Sequence, residues 1–222
     1  LRLVGSEMCI RDRYSAVMVV IVAFLLAFIS QALKPTQDAN VALDKKKQIL
    51  AALNIRDLDN IAAAAKYSEV VLADRIIDRD GNVVNPGEKG GEAAGFKLNS
   101  ADYKAGRLAL YVCNVDGATK YVVPVYGMGL WGPIWGYIAI GEDKNTVDGA
   151  YFNHDSETAG LGAEIKDSKK WQDLFKGKEL FANGDRDHVA LSVEKKVTDP
   201  KTQVDCVTGA NINSNGVAAM LK

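Results

Sequence analysis

An uncharged, apolar stretch near the start of the chain constrains the fold more than any other feature. Residues Tyr14–Leu33 read YSAVMVVIVAFLLAFISQAL and contain no Asp, Glu, Lys or Arg. As a helix this stretch would be about 30 Å long, the thickness of the apolar core of a bilayer. A cleaved signal peptide would be shorter and would end in a small-residue cleavage site, whereas this stretch runs into QALKP. The sequence therefore predicts a retained, single-pass transmembrane helix at residues 14–33.

The residues before this helix do not resemble a natural N-terminus. Leu1–Arg13 lacks an initiator Met, and its string VGSEMCIRDR resembles translated adapter sequence found at the ends of assembled environmental reads. We expect residues 1–13 to be a non-native leader. Arg11 and Arg13 precede the apolar stretch, and a positive flank favours the cytoplasmic side of a membrane. That orientation signal, which would place the rest of the chain outside the cytoplasm, is thus carried by the leader itself.

The composition indicates one ordinary globular domain at residues 34–222. The whole chain has 48% hydrophobic and 25% charged residues and a formal net charge of -1. Its Lys and Arg residues are spread out, so we expect no nucleic-acid partner. The two histidines, His154 and His188, and three scattered cysteines lack metal-ligand spacing, so no metal site is predicted. Without a nucleophile elbow no catalytic residue is predicted, and we interpret His154, Asp155 and Glu157 as a polar loop.

Helices and strands follow the transmembrane helix in an irregular order. The turn Asp116-Gly117 joins two β-branched runs and predicts a hairpin. The predicted helices are Lys46–Leu53, Ile61–Tyr67, Trp171–Phe175 and Asn215–Leu221; the predicted strands are Val70–Ile77, Gly81–Val84, Leu108–Val115, Tyr121–Tyr126, Trp135–Ile140 and Val189–Val193. This order favours an α+β domain over a doubly wound one. A disulfide between Cys113 and Cys206 cannot be decided from the sequence.

Three glycine-rich stretches are candidate ligand-binding segments: YGMGLWGPIWGY at Tyr126–Tyr137, HDSETAGLGAE at His154–Glu164, and VDCVTGANINSNGV at Val204–Val217. In the first, glycines between large aromatics let backbone approach a flat ligand closely. A structural turn with Trp131 and Trp135 in the core is the alternative. The second could hold a phosphate or a flavin edge on exposed amides, although it lacks the G-x-G-x-x-G spacing of a dinucleotide site.

In their order, these motifs resemble the family of the C subunit of the sodium-translocating NADH:quinone oxidoreductase. The resemblance covers about Tyr14 to Lys222 and includes the single span, QALKP, KKKQIL, the first two glycine-rich stretches and the pattern D-x-x-T-G-A-x-x-x-S-N-G-V. The flavin-binding G subunit of the related electron-transport complex shares the glycine-rich motifs and the anchor. KKKQIL and LWGPIWGY favour the C subunit.

The resemblance implies one transmembrane helix followed by a mixed α+β domain that binds FMN. That domain would lie on the periplasmic side of the cell inner membrane. Its FMN would relay single electrons between redox centres of the other membrane subunits, in a translocase that couples NADH oxidation by ubiquinone to sodium export. The chain would be an enzyme only as a subunit of that complex. In the family a flavin transferase attaches the FMN through a phosphoester to a threonine.

Carried onto this sequence, the attachment motif places its acid at Asp205, its Ser/Thr position at Thr208 and its acceptor at Asn211. The pattern T-P-G-L-G corresponds to residues 158–162, with Ala159 for Pro, and Trp131 is implied as an isoalloxazine contact. The cofactor-binding residues implied in this way are Trp131, Thr158, Gly160, Leu161, Gly162, Asp205, Thr208, Gly209, Ala210, Asn211 and Ser214.

Asparagine has no hydroxyl group, so Asn211 cannot form the phosphoester, and a second position that is commonly Thr falls on Asn213. Three hypotheses follow. FMN is bound without a covalent link, the two asparagines are errors in the source sequence, or the chain is a flavin-free structural or assembly subunit. A single-span extracytoplasmic binding protein without a redox role is the alternative from another functional class.

Overall fold

A computed structural model describes residues 2–182 and 184–222 of the chain. The side chains of residues 2–9 and of Ser100 lie outside the described part, so the predicted leader falls partly outside it. The chain divides into two compact units, one up to Asp44 and one from Lys45 to Lys222. The helices are α1 (Arg2–Ala52), α2 (Asn60–Val70), α3 (Ser100–Lys104), α4 (Glu164–Asp167), α5 (Lys169–Gln172) and α6 (Asn211–Met220); the strands are β1 (Val71–Ile77), β2 (Val83–Asn85), β3 (Leu108–Val115), β4 (Ala118–Met128), β5 (Pro133–Ile140), β6 (Val147–His154), β7 (Ser192–Glu194) and β8 (Gln203–Asp205).

The first unit is formed by helix α1, which continues into the second unit. By length and apolar composition α1 is able to cross a membrane. Its apolar side chains are open to the surroundings, with Phe24 69% and Phe28 66% exposed. Pro35 lies inside the helix, where it removes one backbone hydrogen bond without ending the helix. The predicted helix Lys46–Leu53 is the last part of this element.

A six-stranded antiparallel sheet organises the second unit, in the order β2-β1-β3-β4-β5-β6. Strands β3 to β6 pair in chain order. Asp116 and Gly117 both have positive φ, 52° and 85°, which is the turn geometry whose twist matches a two-residue hairpin. The predicted hairpin is therefore present, and the predicted α+β class with one long apolar N-terminal helix is confirmed.

The two faces of β5 carry different neighbours because successive side chains of a strand point to opposite faces. Ile134 and Ile138 are buried in a core that the C-terminal elements share. On the other face, the indole N–H of Trp135 donates to Gln48 Oε1 at 3.0 Å, and the ring of Tyr137 lies 6.4 Å from that of Tyr111. The sheet is thus covered on both faces.

Aromatic packing fixes the C-terminal segment against the sheet. The rings of Phe152, Trp171 and Phe175 lie 5.0 to 5.5 Å from one another. The indole N–H of Trp171 donates to the carbonyl oxygen of Asp205 at 2.7 Å. Strand β8, which ends at Asp205, pairs in parallel with β7. The start of the third glycine-rich stretch is therefore held by the core.

Several elements differ from the sequence prediction, among them the short helices α3 and α4, which were not predicted. Strands β6 and β8 were not predicted, since VDGAYFNH carries Asp and Gly near its start and β8 is very short. In β6, Gly149 is required because a Cβ there would lie 2.4 Å from the carbonyl oxygen of Ala52. Helix α6 begins at Asn211 rather than Asn215, because tertiary packing buries Asn213 and Val217 despite a turn-like composition. Cys113 and Cys206 are both free in the described structure.

Close packing at Gly216 sets how α6 approaches the sheet. A Cβ on Gly216 would lie 2.3 Å from the carbonyl oxygen of Met128 and 3.0 Å from Cδ1 of Ile134. In an exposed helix, Gly→Ala would stabilise the fold by about 1 kcal/mol. Here we expect Gly216→Ala to lower the free energy of unfolding by about 1–3 kcal/mol, because the helix has to move away from the sheet.

Urea unfolding of the full chain in detergent measures this effect. Asn215→Ala is the matched control, because Asn215 is exposed on the same helix and the substitution raises helix propensity only. A Gly216→Ala protein as stable as the Asn215→Ala protein would contradict the packing argument.

Candidate functional site

A cavity of about 420 Å³ lies where the three glycine-rich stretches meet. Its volume is in the range of cofactor and small-molecule sites, about 300–1,000 Å³. It is lined by Leu130, Trp131, Glu157, Thr158, Leu161, Gly162, Gly209, Ala210, Asn211, Ile212 and Asn213. All three candidate segments therefore contribute to one concave site.

The first wall is the connection between β4 and β5. Met128 pairs with Pro133 at the end of the ladder, and the N–H of Gly129 donates to the carbonyl oxygen of Gly132 at 2.8 Å. This tight loop leaves Trp131 66% and Leu130 50% exposed. The alternative in which Trp131 belongs to the core is therefore wrong, since only Trp135 packs against the domain.

The second wall is a turn centred on Thr158. Its carbonyl oxygen accepts hydrogen bonds from the N–H groups of Leu161 and Ala163, at 3.2 and 3.1 Å. Gly160 has a φ of +73°, a conformation that L side chains rarely adopt. The turn directs Leu161, which is 46% exposed, to the cavity.

The third wall is the turn that leads into α6. The N–H of Ala210 donates to the carbonyl oxygen of Val207 at 3.1 Å, and Gly209 between them has a φ of +81°. Ser214 Oγ accepts the N–H of Val207 at 3.0 Å. Among the described residues no side chain caps α6 at Ala210. The first amide groups of the helix are thus available to an anion at this end.

Glu157 links the three walls. It is only 8% exposed, and its Oε1 accepts the N–H of Trp131 at 3.0 Å. The side-chain amide of Asn213 faces the same carboxylate, although its geometry falls short of a regular hydrogen bond. A Cβ on Gly129 would lie 2.3 Å from Oε1, and one on Gly162 would lie 2.7 Å from Oε2. These two glycines make room for the carboxylate.

Burial would raise the pKa of Glu157, but hydrogen bonding outweighs it. The side-chain amide of Asn213 and the N–H groups of Trp131 and Gly132 stabilise the charged form, with a smaller contribution from His154. The pKa of Glu157 is therefore lowered from its ordinary value of 4.5. The cavity wall carries a carboxylate that is negative at neutral pH.

Seven of the predicted site residues line the cavity and four do not. The lining residues are Trp131, Thr158, Leu161, Gly162, Gly209, Ala210 and Asn211. Ser214 is buried and holds the turn through Val207, whereas Asp205 is exposed and supplies a carbonyl to Trp171. Thr208 faces a neighbouring cavity of about 320 Å³, and Gly160 shapes the turn from outside the cavity lining.

Sequence reasoning missed Leu130 and Ile212 and underestimated Glu157. The polar-loop interpretation of residues 154–157 fits Asp155, which is exposed. It does not fit Glu157, whose side chain is buried. No local sequence signal marks it, since its place is set by the tertiary approach of Gly129 and Gly162. Asn213, noted only as a sequence position, is 2% exposed and lines the cavity.

Comparisons with known proteins show which family this chain resembles. The FMN-binding domain family matches residues 129–222, a range that contains all three walls. The C subunit of the Na+-translocating NADH-quinone reductase of Haemophilus ducreyi is 33% identical, over 93% of this chain and 88% of its own length. The C subunit of the same reductase from Pasteurella multocida is 31% identical, over 83% of this chain and 77% of its own length.

Two solved structures are similar in fold. The crystal structure of the C subunit of the Na+-translocating NADH-quinone reductase from Parabacteroides distasonis has a TM-score of 0.75 and 36% identity, covering 85% of this chain and 91% of that one. The crystal structure of NqrC from Shewanella oneidensis has a TM-score of 0.65 and 25% identity, covering 82% of this chain and 91% of that one.

The charge on Glu157 makes the domain's stability depend on pH. Because the folded-state pKa is lowered from 4.5, the carboxylate stabilises the fold fully above that value, and this contribution is lost as pH falls through the folded-state pKa. We expect Glu157→Gln to lower the free energy of unfolding by about 1–2 kcal/mol at pH 7, since charged hydrogen bonds become neutral. The difference should shrink toward zero in acid.

Chemical denaturation of both proteins across the acid range measures this difference. Asp155→Asn removes the same charge from an exposed position in the same loop and is expected to change stability little at neutral pH. A difference between wild type and Glu157→Gln that stays constant into strong acid would show that the carboxylate is not charged in the fold.

Proposed function

The chain belongs to the family of the C subunit of the Na+-translocating NADH-quinone reductase, and we propose that its cavity holds FMN as the electron carrier of such a complex. The observation that carries this assignment is the convergence of all three glycine-rich stretches on one cavity within the residues that match the FMN-binding domain family. The similar proteins are C subunits of this reductase by name, so neither the related G subunit nor a binding protein without a redox role is favoured.

The residues of the cavity suit the two chemically different ends of FMN. Exposed apolar side chains on its rim, Trp131, Leu161 and Ile212, match a flat aromatic ring. The uncapped end of α6 matches a phosphate. Asn213 lines the cavity with its side-chain amide beside the Glu157 carboxylate.

When bound, FMN supplies one-electron transfer chemistry, and the protein supplies position and electrostatics. In this assignment the amide groups at the start of α6 hold the phosphate, and Trp131 and Leu161 shield the ring from water. Gly162 keeps the cavity open, because a Cβ there would lie 2.6 Å from Asn213 Nδ2.

FMN is held without a covalent bond in this proposal. Asn211 is the first residue of α6, is exposed and lines the cavity, which is where the resemblance places the attachment hydroxyl. Its side chain has only amide and carbonyl groups, so it can contribute a hydrogen bond to a phosphate but not an ester. The charge of the helix end and these hydrogen bonds would replace the phosphoester.

The chain is a membrane-anchored subunit, and its partners include other subunits of the same complex. We further infer that the unit from Lys45 onward lies on the periplasmic side, as the resemblance to the C-subunit family implies. A flavin transferase would be a partner only of a chain with a hydroxyl at position 211. Protease digestion of spheroplasts tests the orientation: protection of the unit from Lys45 onward would contradict it.

Flavin fluorescence in a denaturing gel tests the mode of attachment. The full chain, expressed with a flavin transferase and purified in detergent with FMN, is expected to be yellow when native and dark in the gel, because Asn211 offers no ester oxygen. Asn211→Thr is expected to give a fluorescent band and a mass increase of one FMN residue. Ile212→Thr is the matched control, since it places a hydroxyl one position away on the same helix and should stay dark.

The outcomes separate the hypotheses. A fluorescent wild-type band would contradict non-covalent binding, and colourless native protein that takes up no added FMN would contradict the cofactor assignment. A dark Asn211→Thr band with intact FMN binding would show that position 211 is not the attachment position.

Gly162→Ala tests whether FMN occupies this cavity. The added methyl group would lie 2.6 Å from Asn213 Nδ2 and 2.7 Å from Glu157 Oε2, so it fills the cavity wall. We expect the Kd for FMN, measured by quenching of flavin fluorescence, to rise at least about tenfold, which corresponds to about 1.4 kcal/mol. Gly160→Asn is the control, because the side chain would enter open space among the described residues and Asn tolerates positive φ. Equal Kd values for both variants would place FMN elsewhere.

A further inference from the structure

Glu157 places a buried negative charge in the cavity wall. It is only 8% exposed, and the ion pairs in the part of the chain that the structure describes do not include it. In the same loop, His154 Nδ1 accepts the N–H of Glu157 at 3.2 Å.

The carboxylate cannot move away when a ligand enters. Oε1 is fixed by the N–H of Trp131, and Gly129 and Gly162 enclose the two oxygens so closely that a methyl group on either would overlap them. Asn213, which faces the carboxylate, is 2% exposed. A bound ligand therefore meets a charge whose place is set by the fold.

A fixed negative charge acts differently on the two redox states of a ligand. Adding electrons to a cofactor beside it places negative charge near negative charge, and a cavity screens this repulsion less than water does. Protein charges close to a flavin are one of the means by which its redox properties are tuned. The reduced cofactor is thus bound more weakly than the oxidised one, and its midpoint potential falls.

We propose that Glu157 is the redox-tuning residue of the site: its carboxylate lowers the midpoint potential of FMN bound in the cavity and weakens the binding of reduced FMN. This inference rests on the proposed FMN site and adds a specific electrostatic role for one residue of its wall. The lowered pKa of Glu157 means that the charge is present at neutral pH.

Glu157→Gln separates the charge from the hydrogen bonds. The glutamine oxygen can still accept the N–H of Trp131, and the side chain has nearly the same size, so a purely structural role would be largely kept. The measurement is a spectroelectrochemical titration of the full chain in detergent, reconstituted with FMN, at pH 7. The Kd of oxidised and of reduced FMN is measured on the same proteins.

We expect the midpoint potential of Glu157→Gln to be more positive than that of wild type. The ratio of the Kd of reduced FMN to that of oxidised FMN should fall about tenfold, the effect of one charge at an effective dielectric constant near 20 and a separation on the order of 10 Å. Asp155→Asn is the matched control, because it removes a charge from an exposed position two residues away. It should leave the midpoint potential of FMN and the ratio of the two Kd values unchanged.

The result that would overturn the proposal is a Glu157→Gln protein that binds FMN with the wild-type potential and Kd ratio. Should Glu157→Gln fail to fold, Glu157→Asp and Glu157→Asn make the same comparison with a shorter side chain, and the Asp variant should have the lower potential. Equal potentials in that pair would also overturn the proposal. Wild-type protein that binds no FMN would instead contradict the proposed function, and the tuning role with it.

Discussion

The cavity depends on one interaction, the seating of the Glu157 carboxylate between three loops. The loop after β4, the turn at Thr158 and the start of α6 do not pair with each other as strands. They meet because the carboxylate accepts an N–H from Trp131 and faces the amide of Asn213. A buried carboxylate without hydrogen-bond donors would destabilise the fold. The surrounding donors stabilise the charge, and the glycines at 129 and 162 leave the space that it occupies. The site is therefore preorganised around a charge.

The sequence predicted those parts of the fold whose signals are local. The Asp116-Gly117 turn and the β-branched runs around it predicted β3 and its hairpin partner, because turn geometry and alternation are read from neighbouring residues. Strand β6 and the first turn of α6 were missed because their residues, such as Gly149 and Asn213, are chosen by contacts with distant segments. Local propensity is overridden there by tertiary packing.

For the site, the glycine-rich stretches predicted the location and the resemblance supplied the ligand. Position along the chain could not reveal that Ser214 and Asp205 are structural, since each acts through one hydrogen bond to a distant backbone group or ring. Glu157 was undervalued for a related reason. In the sequence it follows Asp155 and Ser156 and looks like part of a solvated loop, and only the close approach of Gly129 and Gly162 makes it a wall of the cavity.

The turn before α6 explains how an attachment motif can persist without its hydroxyl. Its shape is set mainly by the positive φ of Gly209, by the hydrogen bond from Ala210 to Val207 and by Ser214 Oγ. The side chain at position 211 adds one contact, in which Asn211 Oδ1 accepts from Cys206 Sγ at 3.7 Å. Asn211 follows this turn as the first residue of α6. In the proposed site, a change from hydroxyl to amide there would alter the bond to the phosphate but leave the amide groups of the helix start where they are. In the proposed FMN site, the position of the cofactor would therefore depend on the turn and the helix start, and covalent attachment on the side chain at position 211.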